Sequence, residues 1–457
     1  MATQRLAAWA TSLRLHDLPA PVVQAAVRSF YNWTGCALGG SHHRTTTTAL
    51  HALAPFFGKP TSSILGHTNT DTDVGSADAS HAALINGIAS HVHDYDDTHL
   101  ETIIHPTGPV ASALLAQAEA LGKPVAGDDF ILALVAGIEA ECKVGLAVWP
   151  DHYDIGWHIT STTGSIGAAV AVGKLLTLTT EQMAHAIGIA ATQVTGLREM
   201  FGSDTKSFHV GRAAQNGLMA AVLAQKGYTS SPTALEAKRG WAKVVSTTQD
   251  LDGQMATLGS RDGGVWETAK NSFKPFPCGI VVHPIIDACI QLHADMQRQG
   301  LAATQIKHVQ CTVHPLVLEL TGKKTPQDGL QAKFSVYHGG AVGLVLGKAG
   351  PAQYDDRVVT SNEIVAVRDR IDATADAGLG ADEAVIVVEF DTGATTLTKH
   401  VKHAVGSLEV PMTDAQLLDK FVDQVTPVLG PEGAKKASDA AWALQGVADV
   451  SVLAKGL

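Results

Sequence analysis

A chain of 457 residues with 45% hydrophobic and 17% charged residues has a globular composition, which excludes a disordered or fibrous protein and leaves room for two or three domain-sized units. Its 33 basic and 44 acidic residues give a formal charge of −11. That balance excludes a general nucleic-acid surface, which needs a basic footprint, so positive charge for an anionic ligand has to be local. Five scattered cysteines without a CxxC pair suggest neither a disulfide framework nor a thiolate metal cluster, and a reducing, cytoplasmic setting is expected.

From the start, "LAAWATSLRLHDLPAPVVQAA" reads as amphipathic helices broken at Leu18-Pro19, without the plan of a signal peptide. No uninterrupted apolar span of membrane length follows, so no membrane partner is expected. Up to about residue 225 the chain is a series of helix-length runs of small bulk, such as "PVASALLAQAEALG" and "GSIGAAVAVGKLLTL". Gly and Ala at intervals of three and four let helix backbones approach closely, which predicts a large helical domain.

Near residue 270 the texture changes. "IKHVQCTVHPLVLELT" alternates as strands do, "KFSVYHGGAVGLVLG" is helical, and "EAVIVVEFDTGATTLTKHV" reads as a β-hairpin turning at Asp391-Thr392-Gly393. After about residue 405 the helical texture returns. The fold expected is mainly α: a discontinuous helical domain from residues 1–267 and 405–457, with a smaller α+β lid domain at 268–404.

Four stretches carry polar chemistry. "HVHDYDDTHLETIIHP", His91 to Pro106, packs histidines and aspartates at a density that suits a transition metal, but the helical HExxH signature is absent. If His91 to Thr98 is helical, His91, Asp94 and Thr98 share one face, and His105 can reach back over it; Asp97 or Thr98 as an ordinary helix cap is the plain alternative. In "GWHITSTTGSIGAA", His158 precedes Thr160 to Thr163, a run able to offer hydroxyls and helix N-terminal amides to an anion. In "FGSDTKSFHVGRAAQNG", Lys206 has only Asp204 as a local partner, and a surface lysine is the plain reading. In "NSFKPFPCGIVVHP", Lys274 stands ahead of a proline-restricted turn at the domain junction, a favoured place for a ligand pocket.

Together, in this order, these blocks resemble the MmgE/PrpD family, which includes 2-methylcitrate dehydratase, cis-aconitate decarboxylase and iminodisuccinate epimerase, and the resemblance runs end to end. It implies homodimers and a cofactor-free, metal-free site between the domains, formed by Asp94, Thr98, His105, His158, Lys206, Lys274 and Tyr337. Lys206 and Lys274, from opposite sides of the cleft, would bind a di- or tricarboxylate. His105 and His158 would exchange protons, Asp94 and Thr98 would orient them, and Tyr337 would add a phenolic hydrogen bond. Dehydration of a 2-methylcitrate-like acid is the activity expected first, decarboxylation of cis-aconitate second and epimerisation third; a non-catalytic carboxylate binder is the rival of another class. Cys278-Gly279 stands where the animal decarboxylases carry a histidine, a departure from them that the fungal type shares.

Overall fold

The computed structural model describes residues 1–70, 73–391, 395–455 and 457. It is mainly α-helical, with its one four-stranded sheet among the described residues lying in the C-terminal region. Two hydrophobic cores account for the architecture. The larger joins helices from residue 2 to 255 with Phe273 and with Met412 to Ala454, so the two chain ends pack together. The smaller runs from Phe276 to Ala404.

The helices of the larger core pack as closely as their small residues allow. Where the Ala79–His91 and Asp204–Gln225 helices cross, a Cβ on Gly87 would come within 2.6 Å of Gly211 Cα. Glycine at both positions is what lets these helices, which bring His91 and Lys206 to one place, touch backbone to backbone. The C-terminal helix Asp414–Trp442 packs on Ala20–Gly40 and bends at Gly430 (φ 70°) between Pro427 and Pro431.

In the smaller core, Ile306–Val313 is central. It pairs in parallel with Ile371–Ala375 and antiparallel with Ala384–Phe390, which pairs in turn with Thr396–Val401. The last two strands form the predicted hairpin; residues 392 and 393 of its turn lie outside the described residues. The helices His283–Gln299 and Val336–Leu346 pack together beside this sheet. Among the described residues, no helix is long and apolar enough to cross a membrane.

Candidate active site

The polar stretch after residue 91 is not one helix. Asp78 caps Ala79–His91 by accepting from the amides of Ser80 and His81, and the helix stops at His91. Asp94 then turns the chain in the left-handed region at φ 51°, a conformation Asp tolerates better than most side chains. Asp97–His99 follows as a strand paired antiparallel with Asn271–Phe273, with Thr98 opposite Ser272. The shared helical face expected for His91, Asp94 and Thr98 is therefore absent, and a two-stranded ribbon takes its place. Its register sets Lys274, one residue past Phe273, beside Asp94.

Both lysines converge on that aspartate. Lys274 Nζ lies 2.5 Å from Asp94 Oδ1 and also donates to the Asp94 carbonyl, while Lys206 Nζ lies 2.9 Å from Oδ2. They do not face each other across a cleft; they flank one carboxylate. Lys206 is buried rather than a surface lysine, with Phe201 and Phe334 rings 5.2 Å from its Nζ. Its sequence neighbour Asp204 pairs instead with Arg44 and Thr45.

Burial alone would raise the Asp94 pKa, but Lys206 and then Lys274 outweigh it and hold the carboxyl well below its usual range. The lysines shift in opposite directions. Burial lowers Lys206, whereas for Lys274 the shorter contact with Asp94 and the added field of Asp96 overcome burial and raise it. Both are ammoniums at neutral pH.

His105 donates from Nδ1 to the Asp97 carbonyl at 2.7 Å, which leaves Nε2 with the lone pair. Thr98 Oγ1, wholly buried, also approaches Nδ1 at 3.2 Å and so helps set the ring. His158 precedes the Ile159–Leu175 helix and meets His209 Nδ1 to Nδ1 at 3.0 Å. Burial, reinforced by nearby lysines, brings His105 down to about 3 and His158 well below its ordinary value. Both imidazoles are neutral at pH 7. The hydroxyls after His158 are not offered to a ligand: Thr160 accepts from the His105 amide, Ser161 and Thr163 donate to backbone carbonyls, and Thr162 meets His152.

Asp94, His105, His158, Lys206 and Lys274 line one cavity with Ile103, Phe201, Leu320 and Phe334, between the two cores. Its volume of about 40 Å³ holds only a few waters. Tyr337 is not among the lining residues. It is half-buried against the smaller core with Lys324 over its ring, and Phe334 supplies the aromatic wall from that side.

Two further lysines have no counterpart among the residues singled out from the sequence. Lys333 donates to the His93 and Pro277 carbonyls, and Lys420 binds Asn32 and the carbonyls of Tyr95 and Lys274; burial lowers each to about 8. Lys420 fixes the backbone on both sides of the Asp94–Lys274 contact from 146 residues beyond Lys274. No local signal marks it.

A metal is the natural suspicion for such a stretch, and His91, Asp94 and His105 do offer atoms within 4.8 Å of one another. Two ammoniums already satisfy Asp94, and their charge opposes a cation at the same point. The histidines and aspartates of the stretch also disperse: His93 turns to the Gly39 carbonyl and His99 to Glu267.

Fold and cavity describe a mainly helical protein with two cores and a buried, cation-rich pocket between them that carries neutral imidazoles. The chain belongs to the MmgE/PrpD family: residues 4–254 match the family's N-terminal domain and residues 276–445 its C-terminal domain. It is 26% identical to cis-aconitate decarboxylase of Aspergillus terreus over 99% of this chain and 94% of that one. Against human cis-aconitate decarboxylase it is 28% identical over 67% of this chain and 63% of the other. Against 2-methylcitrate dehydratase of Escherichia coli K12 it is 24% identical over 56% of this chain and 55% of the other. These relatives are lyases of small carboxylic acids, and similarity along the whole chain lies with the fungal decarboxylase rather than with the dehydratase expected first.

Proposed function

We propose that this protein is a metal-independent lyase of a tricarboxylic acid, and that its reaction is decarboxylation of cis-aconitate or a close analogue. The observation that carries the proposal is the pair of buried ammoniums, Lys206 and Lys274, set against a carbon wall of Ile103, Phe201, Leu320 and Phe334. The lysines hold the carboxylates that stay, in a setting where charge-assisted contacts count for more than in water. A carboxylate turned to the carbon wall finds no donor there, and its loss as carbon dioxide moves the negative charge away from that wall. The electron pair of the broken C–C bond passes into the remaining conjugated acid, the ammoniums stabilise it, and one proton taken from water returns to carbon by way of the free Nε2 of His105. Whole-chain similarity to the fungal decarboxylase supports the same order.

Dehydration of a 2-methylcitrate-like acid is the second reading, supported by the partial similarity to the bacterial dehydratases. The protein incubated with cis-aconitate, 2-methylcitrate, citrate and iminodisuccinate, with products read by NMR, tests both. Itaconate formed from cis-aconitate is expected. Loss of water from 2-methylcitrate with cis-aconitate untouched would replace the first reading by the second, and no turnover of any of the four would remove both.

The same reading includes a homodimer. Phe208, Met219, Tyr228 and Val244 are exposed along and beside the Asp204–Gln225 helix, next to a groove of about 730 Å³, an apolar surface of the kind a second copy covers. Light scattering should give about twice the 47.7 kDa chain mass; a monomer active at dilute assay concentration would contradict it.

A further inference from the structure

His91 is wholly buried and has a partner on one nitrogen only. Its Nδ1 lies 2.7 Å from Asp96 Oδ2, while its Nε2 has no hydrogen-bond partner among the described residues. Asp96, equally buried, is held below the usual carboxylate range against the effect of burial, chiefly through its contact with His91. A carboxylate can only accept, so the ring proton sits on Nδ1 and the lone pair is left on Nε2. A buried acceptor left empty calls for an explanation.

The surroundings supply one. The His91 ring lies 5.0 Å from that of His105 and 6.0 Å from that of His158, centre to centre. His91, Asp94 and His105 present atoms within 4.8 Å of one another, a spacing that a single oxygen can bridge with hydrogen bonds of ordinary length. Asp94 already carries two ammoniums, so the occupant that fits is a neutral O–H group rather than a cation.

We propose that the buried Asp96–His91 pair is a positioning device of the pocket, which seats one bound water that donates one hydrogen to His91 Nε2 and the other to Asp94 or to His105 Nε2. Asp96 sets the tautomer, and the tautomer makes His91 an acceptor. The seated water ties His91 to the side of the pocket where His105 stands beside Asp94, whose carboxylate holds both lysines. His91 acts through that oxygen and does not itself line the cavity.

The kinetic part of this inference rests on the lyase reading; the seat itself does not. Asparagine at position 96 can present an N–H where Asp96 Oδ2 stands, which moves the ring proton of His91 to Nε2 and turns the acceptor into a donor. Asp96→Asn and His91→Gln should each lower kcat at least about 100-fold with KM changed less than about threefold, the size of effect that a misplaced proton-handling group produces. A neutron structure of the unliganded wild-type protein in heavy water tests the seat without any variant or assay. It should show a deuteron on His91 Nδ1, none on Nε2, and a water within hydrogen-bond reach of Nε2. A deuteron on Nε2, an empty Nε2, a metal ion in the seat, or unchanged kcat in both variants would overturn the proposal. Wild-type protein that turns over none of the four acids but shows the seated water would leave the seat standing and remove the lyase reading alone.

Discussion

Two clusters of buried charge lie around the ribbon formed by Asp97–His99 and Asn271–Phe273, and they differ in what is left over. Around His99, the charged groups Glu139, Lys143, Glu267 and Lys270 and the His99 ring all have partners, and the unpartnered side-chain oxygens of the ribbon, among the described residues, are Oδ1 of Asp97 and Oδ1 of Asn271. Glu267 accepts from His99, Lys143 and Lys270; Glu139 accepts from the amides of Glu267 and Thr268 and from the Thr268 hydroxyl; Lys143 also reaches Thr257. Around Asp94, His91 Nε2 and Asp96 Oδ1 have no hydrogen-bond partner among the described residues, two lysines share one carboxylate, and a cavity opens beside them. Both clusters hold carboxylates, ammoniums and imidazole. What separates a working pocket from a structural network is unspent bonding capacity next to a space, not the density of charge.

The largest expected effects sharpen that contrast on the pocket side. Lys206→Met and Lys274→Met should each lower kcat/KM roughly 10- to 100-fold, as loss of a charge-assisted contact of about 1.5–3 kcal/mol requires. If the contact strengthens as charge develops, kcat falls with it; if it binds substrate uniformly, KM alone rises. Steady-state kinetics separates the two.

Glu267→Gln should reverse the pattern. Breaking the buried network leaves Lys143 without its ion-pair partner and should cost about 3–5 kcal/mol in denaturant unfolding, while kcat/KM of the folded fraction stays within about threefold of wild type. A loss of activity exceeding the loss of stability would place the His99 cluster in the active site and erase the distinction.

The pH dependence of stability follows from the buried imidazoles. Burial brings His105 and His283 to about 3 and His43, His152, His209 and His338 to about 4. Unfolded, each takes up its proton near pH 6.5. Between those values the unfolded state binds more protons, so stability falls as pH drops from about 6.5 towards 4. Asp97, raised to about 6, and Glu139, raised to about 7, both chiefly by burial, favour the folded state on acidification, but they are outnumbered. The urea midpoint should decline steadily from pH 7 to pH 4.5. The smallest effect belongs to Lys123, exposed in the loop between the Thr107–Ala120 and Gly127–Leu146 helices. Lys123→Met should leave both stability and kcat/KM within error.

Much of this arrangement is legible in the amino-acid sequence. The periodic small-residue runs announce helices in close contact, and the four polar blocks contain both lysines and both histidines of the cavity. The departures share a cause. Periodicity continues the helix past His91, but whether a chain leaves a helix at such a point is decided by a partner strand 174 residues away, not by neighbours. The same remoteness hides Lys420 and Lys333, whose partners lie in other elements. The hydroxyls of Thr160 to Thr163 look available in sequence because nothing local shows which carbonyls and rings will claim them. Resemblance alone points to Tyr337, near the start of the Val336–Leu346 helix, whereas it is Phe334, in the turn just before that helix, that lines the pocket.

The most direct measurement is the binding of tricarballylate, an unreactive tricarboxylate, followed by isothermal titration calorimetry in wild type, Lys206→Met, Lys274→Met and Glu267→Gln. If the two ammoniums at Asp94 are the substrate seat, wild type and Glu267→Gln bind alike and each lysine variant binds at least about tenfold more weakly. Equal binding by wild type and both lysine variants would contradict it.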